Sequence, residues 1–437
     1  LRHERQQGTI ITLVAVFMLF VVGAMAALSI DAVTLYTARS EAQLAADSAA
    51  LAAARVLANS GATSDGALMT AAQSAASAVA IQVAEQNQVG GVNLTAAQVS
   101  APVFAGPPTN PTVTVRVQAN LPTFFARIWG STQVMVAASA TSEAYNPTGG
   151  AGTSNTTSPP VAPLCVKPWL LPNLDPSTGT GSAIFDSSGN IINSSLLGWT
   201  SSNGSVSSPA TPVPMTYGCA NAPPGTCTMP TTLSAWGYLP GDDSSFPHPT
   251  NSLPTCSPAL SSNYQDSIAG CVQLPISCRS PVGSPVNVDV TDSIDWNAQT
   301  ADAVNCLTHS TIGGGDTVVS TNPPSVPFEF VIGSENPLAV VNASLSGTNT
   351  MVSDSLVTVP VFDTTTYLSG TPSVSIVGFV QLFLNPTGVA ALDSGATSGQ
   401  ISTTVINMVG CTGTSPGAPP ILGNGASPVA VRLISRP

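Results

Sequence analysis

TIITLVAVFMLFVVGAMAALSI, residues Thr9–Ile30, contains no charge and no proline. As a helix with a rise of ~1.5 Å per residue it reaches roughly 33 Å, enough to cross the hydrocarbon core of a bilayer. Ile10, Leu13, Phe17, Phe20, Leu28 and Ile30 are the membrane-anchor residues this predicts, with lipid as their partner. Arg2 and Arg5 precede the run and Asp31 follows it. Cationic flanks stay cytoplasmic, which places the N-terminus inside and the bulk of the chain outside. A cleaved signal peptide is the competing reading, with Ala24-Met25-Ala26 as its small-residue site. Its apolar region would run to only about 7–15 residues, so the length favours a retained anchor.

Beyond the anchor the composition is unusual. Of 437 residues, 43% are hydrophobic but only 5% aromatic and 7% charged, so small side chains dominate. A net charge of −12 would repel phosphate backbones and argues against nucleic acid as a partner. From Pro147 onward fifteen acidic residues face only Lys167, Arg279, Arg432 and Arg436, as suits the solubility of an exported region.

No proline occurs between Ile30 and Pro102, and Ser40–Ala58 reads SEAQLAADSAALAAARVLA. Alanine is the best helix former, so the membrane helix is expected to continue outward to Asn59-Ser60-Gly61, giving one helix of about fifty residues. Val33, Leu44 and Leu51 fall within a narrow arc and give it a thin apolar stripe. The alanine surface suits either packing within an assembly or packing on the helix's own domain. A second helix is predicted over 65–88, capped by Ser64 or Asp65 and stopped by Gly90-Gly91. Alternating valines in Thr112–Gln118 predict a strand, and Gln133–Thr141 another. Between them, Pro122–Gly130 gathers aromatics in a connection expected to form a short helical turn folded onto the sheet.

These residues resemble a known family. Arg5-Gln6-Gln7-Gly8, the apolar span, Asp31 before Leu35-Tyr36, and Leu44–Ala52 follow one another as in the N-terminal region of TadG-like proteins of the bacterial Tad (Flp) pilus system. Leu121–Gly130 followed by an alternating strand is similar to them as well. The resemblance implies a non-enzymatic, membrane-anchored pilus assembly factor or minor pilus component. Its partners would be other Tad pilus or envelope proteins, met through the Ala-rich helix and the C-terminal domain, with no cofactor. Processed pilins carry Glu at the fifth position after the cleavage-site Gly. Here that position, counted from Gly8, is Leu13, which implies an unprocessed protein retained in the inner membrane. Many TadG-like proteins also carry a von Willebrand factor A metal site, D-x-S-x-S, which Asp186-Ser187-Ser188-Gly189-Asn190 does not meet. The alternatives are an anchored or secreted adhesin or surface-layer protein and, more remotely, an exported hydrolase.

All eight cysteines, Cys165, Cys219, Cys227, Cys256, Cys271, Cys278, Cys306 and Cys411, lie beyond the first third of the chain. An even count in an exported region predicts disulfides, with connectivity left open. A zinc reading would need paired ligand spacing, and Cys306-x-x-His309 is the nearest approach. Ala391-Leu392-Asp393-Ser394-Gly395 resembles an aspartic-protease signature, but such chemistry needs a second carboxylate and no second D-[ST]-G occurs. Asp289, Asp292, Asp295 and Asp302 match no calcium loop; Asp292 is expected to cap a short helix carrying Asp295. Gly313-Gly314-Gly315 lacks the Lys-Ser/Thr of a phosphate loop and reads as a mobile turn.

The expected fold is α+β: a long transmembrane helix continuing into an Ala-rich helix with a small pilin-like antiparallel sheet, then a β-rich, disulfide-containing C-terminal domain. In residue terms this is a cytoplasmic flank (1–8), the span (9–30), a helical and antiparallel-sheet region (31–146), a Gly/Ser/Thr/Pro-rich flexible linker (147–164) and the Cys-containing domain (165–437). Val286/Val288/Val290, Phe328/Phe330/Ile332 and Val357/Val359/Val361 mark alternating strands there. Val374–Leu384 is apolar enough for a strand buried on both faces.

Overall fold

The computed structural model describes residues 3–148, 159–176, 181–202, 205–207, 213–217, 236–249, 255–257, 259–276, 287–289, 296–309, 314–318, 328–365, 373–385, 392–393, 400–411, 420–423 and 425–434. Helix α1 runs unbroken from His3 to Asn59. It stops where Gly61 adopts φ +74°, a left-handed geometry that favours glycine; a Cβ there would also meet Ile406 O at 2.9 Å. Asp65 caps a single 3₁₀ turn by accepting from Ala67 N, and α2 (Met69–Glu85) follows.

Next comes an antiparallel sheet of β1 (Val103–Ala105), β2 (Thr112–Pro122) and β3 (Gln133–Tyr145). Val113, Val115 and Val117 of β2 are buried, as their alternation predicts. The outer half of α1 lies between this sheet and α2, burying Ala38, Ala42, Ala45, Ala49, Ala53 and Leu57. The predicted stripe is not the buried face: Val33 and Leu44 are each 64% exposed. Three large side chains make a narrow ridge, whereas a wide alanine face lets two neighbours approach the helix backbone at once. Ser142 Oγ reaches Ala50 O at 2.5 Å across that contact. Of the two readings left open for the alanine surface, residues 38–58 follow the second, with the helix packed on its own domain.

The second body is built on strands β4 (Trp169–Pro172), β5 (Val213–Tyr217), β6 (Trp236–Pro240), β7 (Asn287–Asp289), β8 (Leu356–Phe362), β9 (Ser373–Leu384), β10 (Leu392–Asp393) and β11 (Gln400–Gly410). Their order is β7-β9-β8-β4-β6-β5-β11-β10, and β9 also pairs with β11. Six strands therefore close on themselves as a mixed barrel, with β7 and β10 as additions, and closure removes the exposed edges. Buried from Ile376 to Leu384, β9 matches the expectation of a strand covered on both faces. Helices α3 (Asn263–Ala269) and α4 (Trp296–Thr308) lie against one another and the barrel. There the Trp169 indole N–H donates to the Tyr264 hydroxyl at 3.2 Å, which meets Thr300 Oγ1 at 3.1 Å.

The chain then returns to its start. Strand β12 (Ala430–Leu433) pairs with β3, setting Arg432 opposite Glu143, with which it forms an ion pair. Within the stretch expected to be a linker, residues 149–158 lie outside the described residues. Thr148 is buried and takes the Gly410 N–H on its hydroxyl at 2.7 Å, while Val161–Ala162 forms a parallel pair with Ile421–Leu422.

Among the described residues, disulfides join distant segments at Cys165–Cys271, across 106 residues, and at Cys256–Cys306, across 50. Loops of this size give up much chain entropy when cross-linked. The Cys165→Ser/Cys271→Ser double variant is expected to lose roughly 2–5 kcal/mol, measured by urea unfolding in detergent.

Candidate functional site: the membrane anchor and its junctions

No residue from 10 to 30 of α1 is buried. Ile10, Leu13, Phe17, Phe20, Leu28 and Ile30 are all exposed, the state of a helix whose surroundings are hydrocarbon rather than protein. The helical segment Gly66–Glu85 also passes a length-and-composition test for a span. It is instead built into the fold, with Ala72, Ala76, Ala80 and Ala84 buried.

Asp31, the first residue beyond the apolar run, is buried. Its carboxylate accepts three consecutive backbone N–H groups from the β2–β3 connection: Phe124 at 2.9 Å, Phe125 at 3.0 Å and Ala126 at 2.7 Å. These donors open a 3₁₀ turn, Ala126–Trp129, whose first N–H groups have no partner within the turn. A carboxylate from another element thus serves as its N-terminal cap. Burial acts to raise the Asp31 pKa, but the three N–H donors and the Arg127 charge outweigh it and hold the carboxyl below its ordinary value. The helical turn predicted at Pro122–Gly130 is present at Ala126–Trp129, and Asp31 ties it to α1 by taking the three N–H groups that the turn itself leaves without acceptors.

At its other end α1 is locked to the barrel. Asn407 of β11, fully buried, donates through Nδ2 to Ala58 O at 2.5 Å and Thr63 Oγ1 at 3.0 Å, and accepts the Ser64 hydroxyl on Oδ1. Asn59 donates to Met351 O at 3.1 Å and accepts from Gln381 Nε2 at 3.2 Å, while Asn146 donates to Met408 O at 2.8 Å. Every amide here bridges two segments far apart in sequence, so the helix end, β3 and the barrel hold one another in place.

Of the cysteines, Cys165, Cys256, Cys271 and Cys306 pair as above and Cys411 is disulfide-bonded. Cys219, Cys227 and Cys278 lie outside the described residues. Because Cys306 is bonded to Cys256, it has no thiolate to offer beside His309. Asp292, Asp295, Gly313, Ser394 and Gly395 also lie outside the described residues, with Asp393 on a two-residue strand and Asp302 on α4. The Gly314 carbonyl accepts the Glu335 N–H at 2.9 Å. Asp186 is consumed by its own loop, accepting from Ser188 N and Asn190 N at 2.8 Å each.

Sequence reasoning missed Asp31 as a clamp, the Asn407 lock and Lys167. The Lys167 ammonium is buried, donating to Ile268 O at 2.5 Å and Gly270 O at 2.6 Å, carbonyls at the C-terminal end of α3. Burial lowers its pKa to about 7, against the opposing charge of Asp354. The unfolded lysine titrates near ~10.4, so between these values the unfolded state binds more protons and stability rises with pH. The expected slope approaches about 1.4 kcal/mol per pH unit, read from urea unfolding at pH 7, 8 and 9. Lys167→Met is expected to flatten it.

Fold and site together define a membrane-associated protein whose long apolar helix is also the spine of a folded α+β region. Residues 8–56, the span and most of that spine, match the family model described as "Putative Flp pilus-assembly TadE/G-like". The N-terminal region is thus TadE/TadG-like, as the order of its motifs predicted. No curated protein and no solved structure matches the chain.

Proposed function

We propose that this protein is a non-enzymatic, single-pass factor of a Tad-type (Flp) pilus apparatus, acting as a membrane-tethered assembly factor or a minor pilus component. The observation that carries the reading is the coincidence of the TadE/G-like match at residues 8–56 with α1, half bare and apolar, half built into the fold. Arg2 and Arg5 before the span favour a cytoplasmic N-terminus in the inner membrane, with the disulfide-bonded body on the oxidising side. The alanine face is filled by the chain's own elements, so pilus or envelope partners meet the protein on surfaces left free: the Val33/Leu44 side of α1 and the outside of the barrel.

Deleting the gene and imaging surface pili tests this. Fewer or poorly retained pili, restored by the intact gene, are expected. Unaltered pilus number and retention would contradict it, and a protein that then coats the cell would be an adhesin or surface-layer component.

A further inference from the structure

The Asp31 clamp has a geometric result. Because Asp31 directly follows Ile30, the three N–H bonds fix the β2–β3 tip at the level where the helix leaves the hydrocarbon. Leu28 lies only about 4.5 Å further along the axis. At that tip Phe124 is 62% and Ile128 is 73% exposed, and Arg127 between them is also exposed. Large apolar side chains bare to water are costly, and a neighbouring cation is what a phosphate-bearing surface attracts. The patch is thus tied to the residue at which the apolar run of the anchor ends.

We propose that residues 122–130 form a second, peripheral contact with the bilayer. Phe124 and Ile128 enter the interfacial zone of the leaflet from which α1 emerges, and Arg127 meets the phospholipid phosphates. Asp31 is a positioning residue that sets the depth of the tip and keeps the folded bodies from swinging about the anchor. This rests on the membrane span of α1 and is independent of the pilus role.

The test uses full-length protein in vesicles of phosphatidylethanolamine and phosphatidylglycerol, with single Phe124→Cys, Ile128→Cys and Val341→Cys variants carrying an environment-sensitive fluorophore. Val341, 89% exposed on a surface segment of the second body, is the aqueous control. Labels at 124 and 128 are expected to be quenched several-fold more strongly than the label at 341 by lipids spin-labelled high on the acyl chain, and to resist aqueous iodide. Adding Asp31→Ala should reduce the lipid quenching at 128 while the protein stays in the vesicle fraction. Iodide quenching at 124 and 128 equal to that at 341 would overturn the proposal. So would iodide protection without lipid quenching that grows with the protein-to-lipid ratio, which would make the patch a contact between copies of this chain.

Discussion

Replacing Asn407 by Leu is expected to destabilise the protein by about 3 kcal/mol or more, because each buried polar group left without a partner costs roughly 1–3 kcal/mol. The side chain is fully buried, and its amide joins Ala58 O, Thr63 and Ser64, on the end of α1 and just beyond it, to β11. Leucine keeps the same branched outline of four side-chain heavy atoms but is bulkier and offers no donor to Ala58 O. Urea unfolding in detergent measures the loss. Gln43→Leu is the comparison: Gln43 also bonds, to Asp47 Oδ1 at 2.7 Å and to Ser139 O of β3 at 3.3 Å, but on an exposed face, where changes stay within about 0.5 kcal/mol. Equal effects at the two positions would mean that the junction does not hold helix and barrel together.

Gly410→Ala is expected to be as damaging for a steric reason. Gly410 ends β11 opposite Gly378 of β9. A Cβ at 410 would lie 1.7 Å from Gly189 O and 3.1 Å from Phe185 Cδ1. The first neighbour is backbone in the turn that Asp186 closes, so no rotamer change relieves it. Either the turn or the strand must move, and overpacking of this kind costs roughly 1–3 kcal/mol, occasionally more. The same strand end donates Gly410 N–H to Thr148, so the displacement reaches the N-terminal body too. A melting temperature equal to that of the unsubstituted protein would show that the 186–190 turn does not pack against the barrel as described.

Local features were legible in the amino-acid sequence where local physics decides them. The apolar run, the alanine-rich continuation and the Asn59-Ser60-Gly61 stop together specify α1, and alternating valines specify β2. The even cysteine count foretold disulfides but not that Cys165 meets Cys271. The barrel was hidden because its pairings span long separations: β4 runs parallel to β8, Leu171 beside Val361. Its short strands Trp169–Pro172 and Trp236–Pro240 are buried throughout and show no alternation. The return of β12 to β3 is equally non-local. Asp31 could be seen after the span and within a family-like order, but its role depends on three N–H groups more than ninety residues away. The alanine surface was legible as a close-packing face, but which neighbour fills it depends on β2, β3 and α2, whose approach no local pattern in residues 38–58 specifies.

The central claim is that one uncleaved helix both crosses the membrane and forms the spine of the folded region. Alkaline carbonate extraction of cell membranes, with epitopes at both ends of the chain, tests it most directly. Both epitopes are predicted to stay in the pellet on a single full-length polypeptide. Release of the full-length chain, or a soluble C-terminal epitope on a product shortened at Ala24-Met25-Ala26, would contradict it.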